Sequence, residues 1–101
     1  MKHTYDEKNK KLVIKLEEEI DMNSCRILRN IVDGYILKFS PDICEINMKK
    51  VEFMDSSGLG FVSGRYNLAK MLGCSLVVTS PSESVRKILN MSTLSKCIKV
   101  V

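Results

Sequence analysis

The sequence has little of what a metal site, a membrane segment or a secreted fold requires. It contains no tryptophan and one histidine, and its four cysteines lie far apart without a C-x-x-C pair, which argues against a zinc site. No apolar run approaches the roughly 18 residues of a transmembrane helix, and the residues after Met1 are polar where a signal peptide is apolar. We therefore expect a cytoplasmic protein without metal or membrane contact, with reduced thiols of which Cys44 and Cys74 are small core side chains.

The sequence also offers little for catalysis. His3, the one histidine that could act as a general base, lies at the N-terminus, where we expect a mobile and solvated side chain. A G-x-G-x-x-x-G motif formed by Gly58, Gly60 and Gly64 lacks the acidic residue and the second half of a dinucleotide site, so these glycines are better explained by a tight helix start. We expect no enzyme and no cofactor.

The chain is short and mildly basic. Its 101 residues, of which 45% are apolar, suffice for one core, so we predict a single domain over residues 1–101. The net charge is +4, but the basic residues of the second half are dispersed and lack interleaved aromatic residues, so we expect a solvated surface and no direct contact with nucleic acid. These residues are Arg65, Lys70, Arg86, Lys87, Lys96 and Lys99.

Apolar periodicity in the first half predicts strands around one amphipathic helix. Alternation with period two predicts strands, and apolar residues three or four positions apart predict a helix. The helix is expected to be capped by Asp21 or Asn23 and to end before Pro41. The predicted elements are a weak strand at 2–7, a turn at 7–11, a strand at 11–17, the helix at 22–39 and a strand at 43–48.

The second half predicts two more helices and two more strands. A helix from Ser57 to Met71 is expected to stop at Gly73. The apolar run 74–79 is typical of a central strand covered on both faces. A helix start with Ser80 as cap follows, and a last strand runs over 97–101. The predicted apolar stripes are Leu59, Val62, Tyr66 and Ala69 in the first of these helices and Val85, Ile88 and Leu89 in the second.

The predicted order is β-β-α-β-α-β-α-β. Strands separated by helices favour parallel crossovers, while the first strand is expected to pair antiparallel at an edge. The fold class is therefore α/β, with a mostly parallel central sheet and helices packed on it.

The loop of residues 51–61, between the third strand and the second helix, is the most informative stretch. Asp55, Ser56 and Ser57 stand where a helix begins, and unpaired backbone N–H groups at that point favour an anion or phosphate. The simpler interpretation is that Asp55 or Ser56 is an N-cap. An acidic run at 17–19, with Asp21 after it, is either a solvated strand end or part of a contact surface in the same layer.

The sequence resembles the STAS-domain anti-sigma factor antagonists of bacteria over essentially its whole length. The resemblance rests on the block Phe53-Met54-Asp55-Ser56-Ser57-Gly58-Leu59-Gly60, on the strand end Glu19-Ile20-Asp21 and on the order of elements. Glu18 departs from the glycine that the family often has before this strand end. We also expect the further C-terminal helix of many members to be absent.

The resemblance implies a phosphorylation-controlled binding protein. Carried over from the family, Ser56 is the phosphorylated residue, and a partner that is both anti-sigma factor and serine kinase binds the unphosphorylated form. Release of this partner on phosphorylation regulates transcription that depends on a sigma factor. The residues matching the family's partner contacts are Asp21, Asp55, Ser57, Gly58 and Leu59.

The resemblance further implies a serine phosphatase as a second partner and a monomer or weak dimer. Two other hypotheses remain open at this point. One keeps the fold but makes the chain a STAS subunit that docks on a transporter ATPase or a signalling scaffold without a phosphoswitch. The other is a small nucleotide-binding or hydrolytic protein built on the glycine motif.

Overall fold

The computed structural model describes residues 1–101 as a five-stranded sheet with four helices. None of the four helices combines the length and the apolar character that spanning a bilayer requires. The elements in chain order are β1 (Lys2–Asp6), β2 (Lys11–Lys15), α1 (Cys25–Phe39), β3 (Ile43–Asn47), α2 (Ser57–Met71), β4 (Ser75–Thr79), α3 (Glu83–Asn90), α4 (Leu94–Cys97) and β5 (Lys99–Val100).

The sheet is mixed, and its strands stand side by side in chain order from β1 to β5. β1 pairs antiparallel with β2 at one edge, and the remaining pairs are parallel. The predicted α/β class, the mostly parallel sheet and the antiparallel edge strand are confirmed. Helix α2 has the predicted bounds, and Gly73 after it adopts φ +71°, a conformation that favours glycine.

One face of the sheet carries the core, and the other is open. In β4, Leu76 and Val78 are buried, whereas Ser75 is exposed and Val77 is half-buried. Buried residues of all the longer helices join the same single cluster, so the helices cover one face. The prediction that β4 is covered on both faces is therefore wrong, because Val77 lies on the open face despite being apolar.

The chain from β4 to β5 differs from the prediction. Ser80 does not cap α3; it has φ +55° and its N–H donates to the Val101 carbonyl at 2.8 Å. The cap is Ser82, whose Oγ accepts from the Val85 N–H at 3.2 Å. The short helix α4 also takes Cys97, the first residue assigned to the last strand, and β5 covers only Lys99–Val100. The segment 80–83 does lead into a helix, as predicted. The helix begins two residues later than predicted, because the Ser80 N–H is bonded to the Val101 carbonyl at the end of the chain.

Arg65 is not the solvated surface residue that its charge suggested. It is 4% exposed and forms an ion pair with Asp33 of α1. Its guanidinium also lies over the Phe61 ring, 5.4 Å from the centroid. The buried side of α2 is therefore shifted from the predicted stripe toward Phe61 and Arg65, because α2 packs on α1 as well as on the sheet.

His3 is not on a mobile terminus. It lies in β1, and its ring stacks on Tyr35 of α1 with the centroids 4.0 Å apart. Tyr5 stacks on Phe39 of the same helix at 4.6 Å. These contacts hold the edge strand to α1. The apolar alternation at 2–7 is weak because only two side chains of β1, His3 and Tyr5, face α1, and one of them is polar.

Candidate functional site

The ends of two chain segments meet at a bridge between Ile20 and Met54. The Ile20 N–H donates to the Phe53 carbonyl and the Asp55 N–H donates to the Ile20 carbonyl, both at 3.0 Å. The bridge fixes the residues that follow it, Asp21 and Asp55, beside each other at one end of the sheet. The expectation that these two carboxylates share a layer is thus supported by backbone pairing.

Asp55, and not Ser56, satisfies the backbone at the start of α2. Its Oδ1 accepts from the Ser57 N–H at 2.7 Å. Ser56 occupies the cap position with φ −62°, but its hydroxyl makes no capping hydrogen bond and its side chain is exposed. The hypothesis that Ser56 is a structural cap is therefore wrong. The serine hydroxyl lies in solvent at a rigid helix start.

Asp21 caps the turn of residues 22–24 that leads into α1, and the helix itself begins at Cys25 and not at residue 22 as predicted. The Asp21 Oδ1 accepts from the N–H groups of Asn23 and Ser24, each at 2.9 Å. The Ser24 Oγ in return accepts from the Asp21 N–H at 3.1 Å and donates to the Glu19 carbonyl at 2.6 Å. This reciprocal arrangement resembles a capping box and holds the Asp21 carboxylate next to the α2 start.

Gly58 has a packing role at this site. It is buried, and a Cβ at this position would lie 2.2 Å from Cγ and 2.4 Å from Sδ of Met54. Gly60 and Gly64 have no such neighbour within 4 Å and lie inside α2. These glycines do not form a phosphate-binding loop. Gly58 alone allows the helix to start against the bridge residue Met54.

The remaining acidic residues do not join the site. Glu17 and Glu18 pair with the N-terminal ammonium at 3.7 and 3.3 Å, and Glu17 also lies 3.7 Å from Lys50. Asp21 is thus the one member of the predicted acidic stretch that adjoins Asp55. No group of three His, Cys, Asp or Glu side chains converges to hold a metal ion.

Sequence reasoning missed a groove between α1 and α2 beside this site. Cys25 lines the groove, and its Sγ lies 3.6 Å from the Ser57 carbonyl oxygen. Burial raises the pKa of the Cys25 thiol, and the negative charges of Asp55 and Asp21 raise it further. The groove also exposes Arg26 and Arg29 of α1. Their spacing of three places them on one helix face, a signal that the sequence did contain.

Two of the predicted partner contacts, Ser57 and Leu59, are half-buried. Leu59 lines a second recess, on the opposite side of Gly60, whose far wall is formed by the segment Ser92–Leu94. The exposed ridge of α2 that begins at Ser56 is therefore flanked by two depressions. A partner that contacts Ser56 would meet side chains from both.

The chain is similar to several known proteins. An anti-sigma F factor antagonist of Paenibacillus polymyxa is 32% identical over 89 residues, which are 88% of this chain and 76% of that protein. The structure of the anti-sigma factor antagonist SpoIIAA in its unphosphorylated form is 27% identical, with a TM-score of 0.77 over 92% of this chain and 81% of that one. The phosphorylated form of the Bacillus SpoIIAA is 26% identical, with a TM-score of 0.68 over 92% and 84%.

The sequence model of the STAS domain matches residues 3–101. This match covers every strand and helix described above except the first residue of β1. The predicted family is thereby confirmed, and the chain belongs to the STAS domain family.

Proposed function

We propose that this chain is an anti-sigma factor antagonist whose binding is switched by phosphorylation of Ser56. In its unphosphorylated form it binds an anti-sigma factor with serine kinase activity and so frees a sigma factor. Phosphate transfer to the Ser56 hydroxyl releases the partner, and a serine phosphatase resets the switch. The chain acts by binding and not by catalysis.

The observation that carries the proposal is the position of the Ser56 side chain. The side chain is exposed and forms no hydrogen bond within the chain, and the Ser57 N–H at the start of α2 is bonded to Asp55 instead. A hydroxyl that enters another protein's ATP site must be accessible and held by a rigid backbone, and Ser56 has both properties. The neighbouring Ser57 is half-buried.

The similar proteins support the same function. Two curated relatives are named anti-sigma F factor antagonists, and SpoIIAA has been solved in both an unphosphorylated and a phosphorylated form. The STAS domain of a SulP transporter from Vibrio cholerae, at 21% identity and a TM-score of 0.67, shares the fold alone. Docking on a transporter therefore has less support than the phosphoswitch.

Charge explains how the switch would work. Asp21 and Asp55 stand beside Ser56, so a phosphate of about −1.5 to −2 charges would roughly double the local negative charge. In the free chain this charge is solvated and faces the positive end of the α2 dipole. In a complex the same groups are desolvated together, so their mutual repulsion weakens binding.

The test is incubation with the anti-sigma factor encoded in the same genome and ATP, followed by peptide mass spectrometry. We expect the phosphate on Ser56, no incorporation into Ser56→Ala, and normal incorporation into the matched control Ser57→Ala. Ser56→Asp should weaken binding while the melting temperature changes by no more than a few degrees. Undiminished labelling of Ser56→Ala would contradict the assignment.

A further inference from the structure

The groove between α1 and α2 is an open depression beside the Ser56 turn. It is lined by seven residues, encloses about 430 Å³ and continues directly from the Ser56 turn through Ser57 and Gly60. A volume of this size accommodates several side chains of a partner. The carboxylates of Asp21 and Asp55 do not line the groove, although both lie near enough to Cys25, which does, to raise the pKa of that thiol.

The floor of the groove is rigid. Phe61 is 3% exposed, and the guanidinium of Arg65 lies over its ring. Arg65 is fixed in turn by its ion pair with Asp33, which ties α2 to α1. The floor of the groove is therefore held in place by contacts within the chain.

The charge of the groove has one sign. Its lining includes two cationic side chains, Arg26 and Arg29, and no carboxylate. Both arginines are exposed, and neither forms an ion pair or a side-chain hydrogen bond within the chain. A third arginine nearby, Arg65, is buried and is neutralised by Asp33. The two groove arginines are therefore available to a carboxylate from outside, which an arginine can bind through two parallel hydrogen bonds.

The rim adds an apolar contact. Met22 lines the groove and is 78% exposed, and an unbranched methionine adapts to partner side chains of different shape. Exposed methionine beside exposed arginine matches the composition of interface cores, which are enriched in both.

We propose that this groove receives an acidic segment of the anti-sigma factor, with one or more carboxylates against Arg26 and Arg29 and an apolar side chain against Met22. The inference rests on the proposed function, because it identifies the anti-sigma factor as the occupant. It extends the contact surface from the acidic Ser56 turn onto the basic face of α1. The partner is thus expected to present a cationic region to Asp21 and Asp55 and an acidic region to the groove.

The test is calorimetric titration of the full chain with the anti-sigma factor encoded in the same genome. The variant is Arg26→Glu combined with Arg29→Glu, and the matched control is Arg86→Glu combined with Lys87→Glu. The control changes the formal charge equally at two exposed positions of α3, away from the groove. Thermal melts of both variants establish that they are folded.

We expect the groove variant to lose about tenfold or more in affinity at 0.1 M salt, and the control less than about twofold. The difference between them should narrow at 0.5 M salt, since screening weakens exposed ion pairs. Arg26→Lys combined with Arg29→Lys should lie between the groove variant and the wild type, because the charge is kept and the bidentate geometry is lost. Met22→Ala should weaken binding without changing its salt dependence.

Three outcomes would overturn the proposal, and the first two leave the proposed function intact. If the wild type binds and Ser56→Asp weakens binding, but the groove variant binds as tightly as the control, the groove is not part of the interface. If sedimentation shows a dimer of the free chain that the groove variant dissociates, the occupant is a second copy. If the wild type does not bind the anti-sigma factor at all, both proposals fail.

Discussion

The close approach of Gly58 to Met54 predicts an unusual stability change on substitution by alanine. In an exposed helix position, replacing glycine by alanine stabilises a protein by about 0.5–1 kcal/mol. At Gly58 the added Cβ would lie 2.2 Å from Met54 Cγ, and Met54 is 4% exposed. Because Cγ lies near the backbone of a buried residue, Met54 must repack, and overpacking of this kind costs about 1–3 kcal/mol.

Gly60 is the matched control for this substitution. It lies two residues further along the same helix, is exposed, and would place its Cβ within 4 Å of nothing. The helix-propensity gain is common to both positions, so the difference between Gly58→Ala and Gly60→Ala isolates the overpacking cost. We expect Gly58→Ala to be less stable than Gly60→Ala by about 1–3 kcal/mol, or about 4–20 °C in melting temperature for a domain of this size.

The measurement is urea unfolding of both variants and the wild type, with a third variant that combines Gly58→Ala and Met54→Ala. Shortening Met54 removes the atoms that the new Cβ would meet. The loss in free energy of unfolding of the double variant should therefore be smaller than the sum of the losses of the two single variants. A Gly58→Ala protein as stable as Gly60→Ala would refute the reasoning. It would show that the α2 start is not fixed by packing against the bridge that positions Asp55 and Ser56.

Two further predictions concern the core. Asp33→Asn should destabilise the fold by about 2–3 kcal/mol because it leaves the Arg65 guanidinium buried without its partner; Asp33 is itself 27% exposed, which moderates the loss. Adding Arg65→Met should recover most of that stability in urea unfolding, and no recovery would contradict the assignment. Burial raises the pKa of the Cys44 thiol from 9.0 to about 12, so the unfolded chain loses this proton first and stability falls as pH rises above about 9. Between pH 8 and 10 the wild type should lose about 1 kcal/mol more than Cys44→Ala, and parallel pH profiles would exclude the effect.

The regular elements could be read from the sequence because each has a local cause. The alternation around Leu12 and Ile14 and the helical spacing of α1 reflect burial of one face, and both match the structure. The same argument failed at β4, where an apolar Val77 lies on the open face of the sheet. The pattern of apolar residues indicates which side chains can be buried. It does not indicate whether helices cover one face of the sheet or both, as Val77 shows.

Only part of the candidate site could be predicted from the sequence, for a similar reason. Asp21, Asp55 and Ser56 could be singled out because they stand at helix starts, where unpaired backbone groups give polar side chains a role. The sequence does not show which of these side chains accepts hydrogen bonds from backbone N–H groups, since that depends on the bridge between Ile20 and Met54. The groove arginines Arg26 and Arg29 were not singled out from the sequence, because their setting is created by the packing of α1 against α2.

The geometry of the Ser56 turn determines why a phosphate there would act on binding and leave folding nearly unchanged. Two unit charges about 4 Å apart interact by about 1 kcal/mol in water but by about 4 kcal/mol in the lower dielectric near a protein surface. In the free chain Ser56 is exposed, so repulsion from Asp21 and Asp55 is screened and is opposed by the α2 dipole. Burial of the turn under a partner removes the water and raises the repulsion severalfold. Because Asp55 and Asp21 are held by hydrogen bonds to the backbone at 2.7 and 2.9 Å, neither carboxylate can move away without losing a helix cap, so the repulsion is relieved by dissociation.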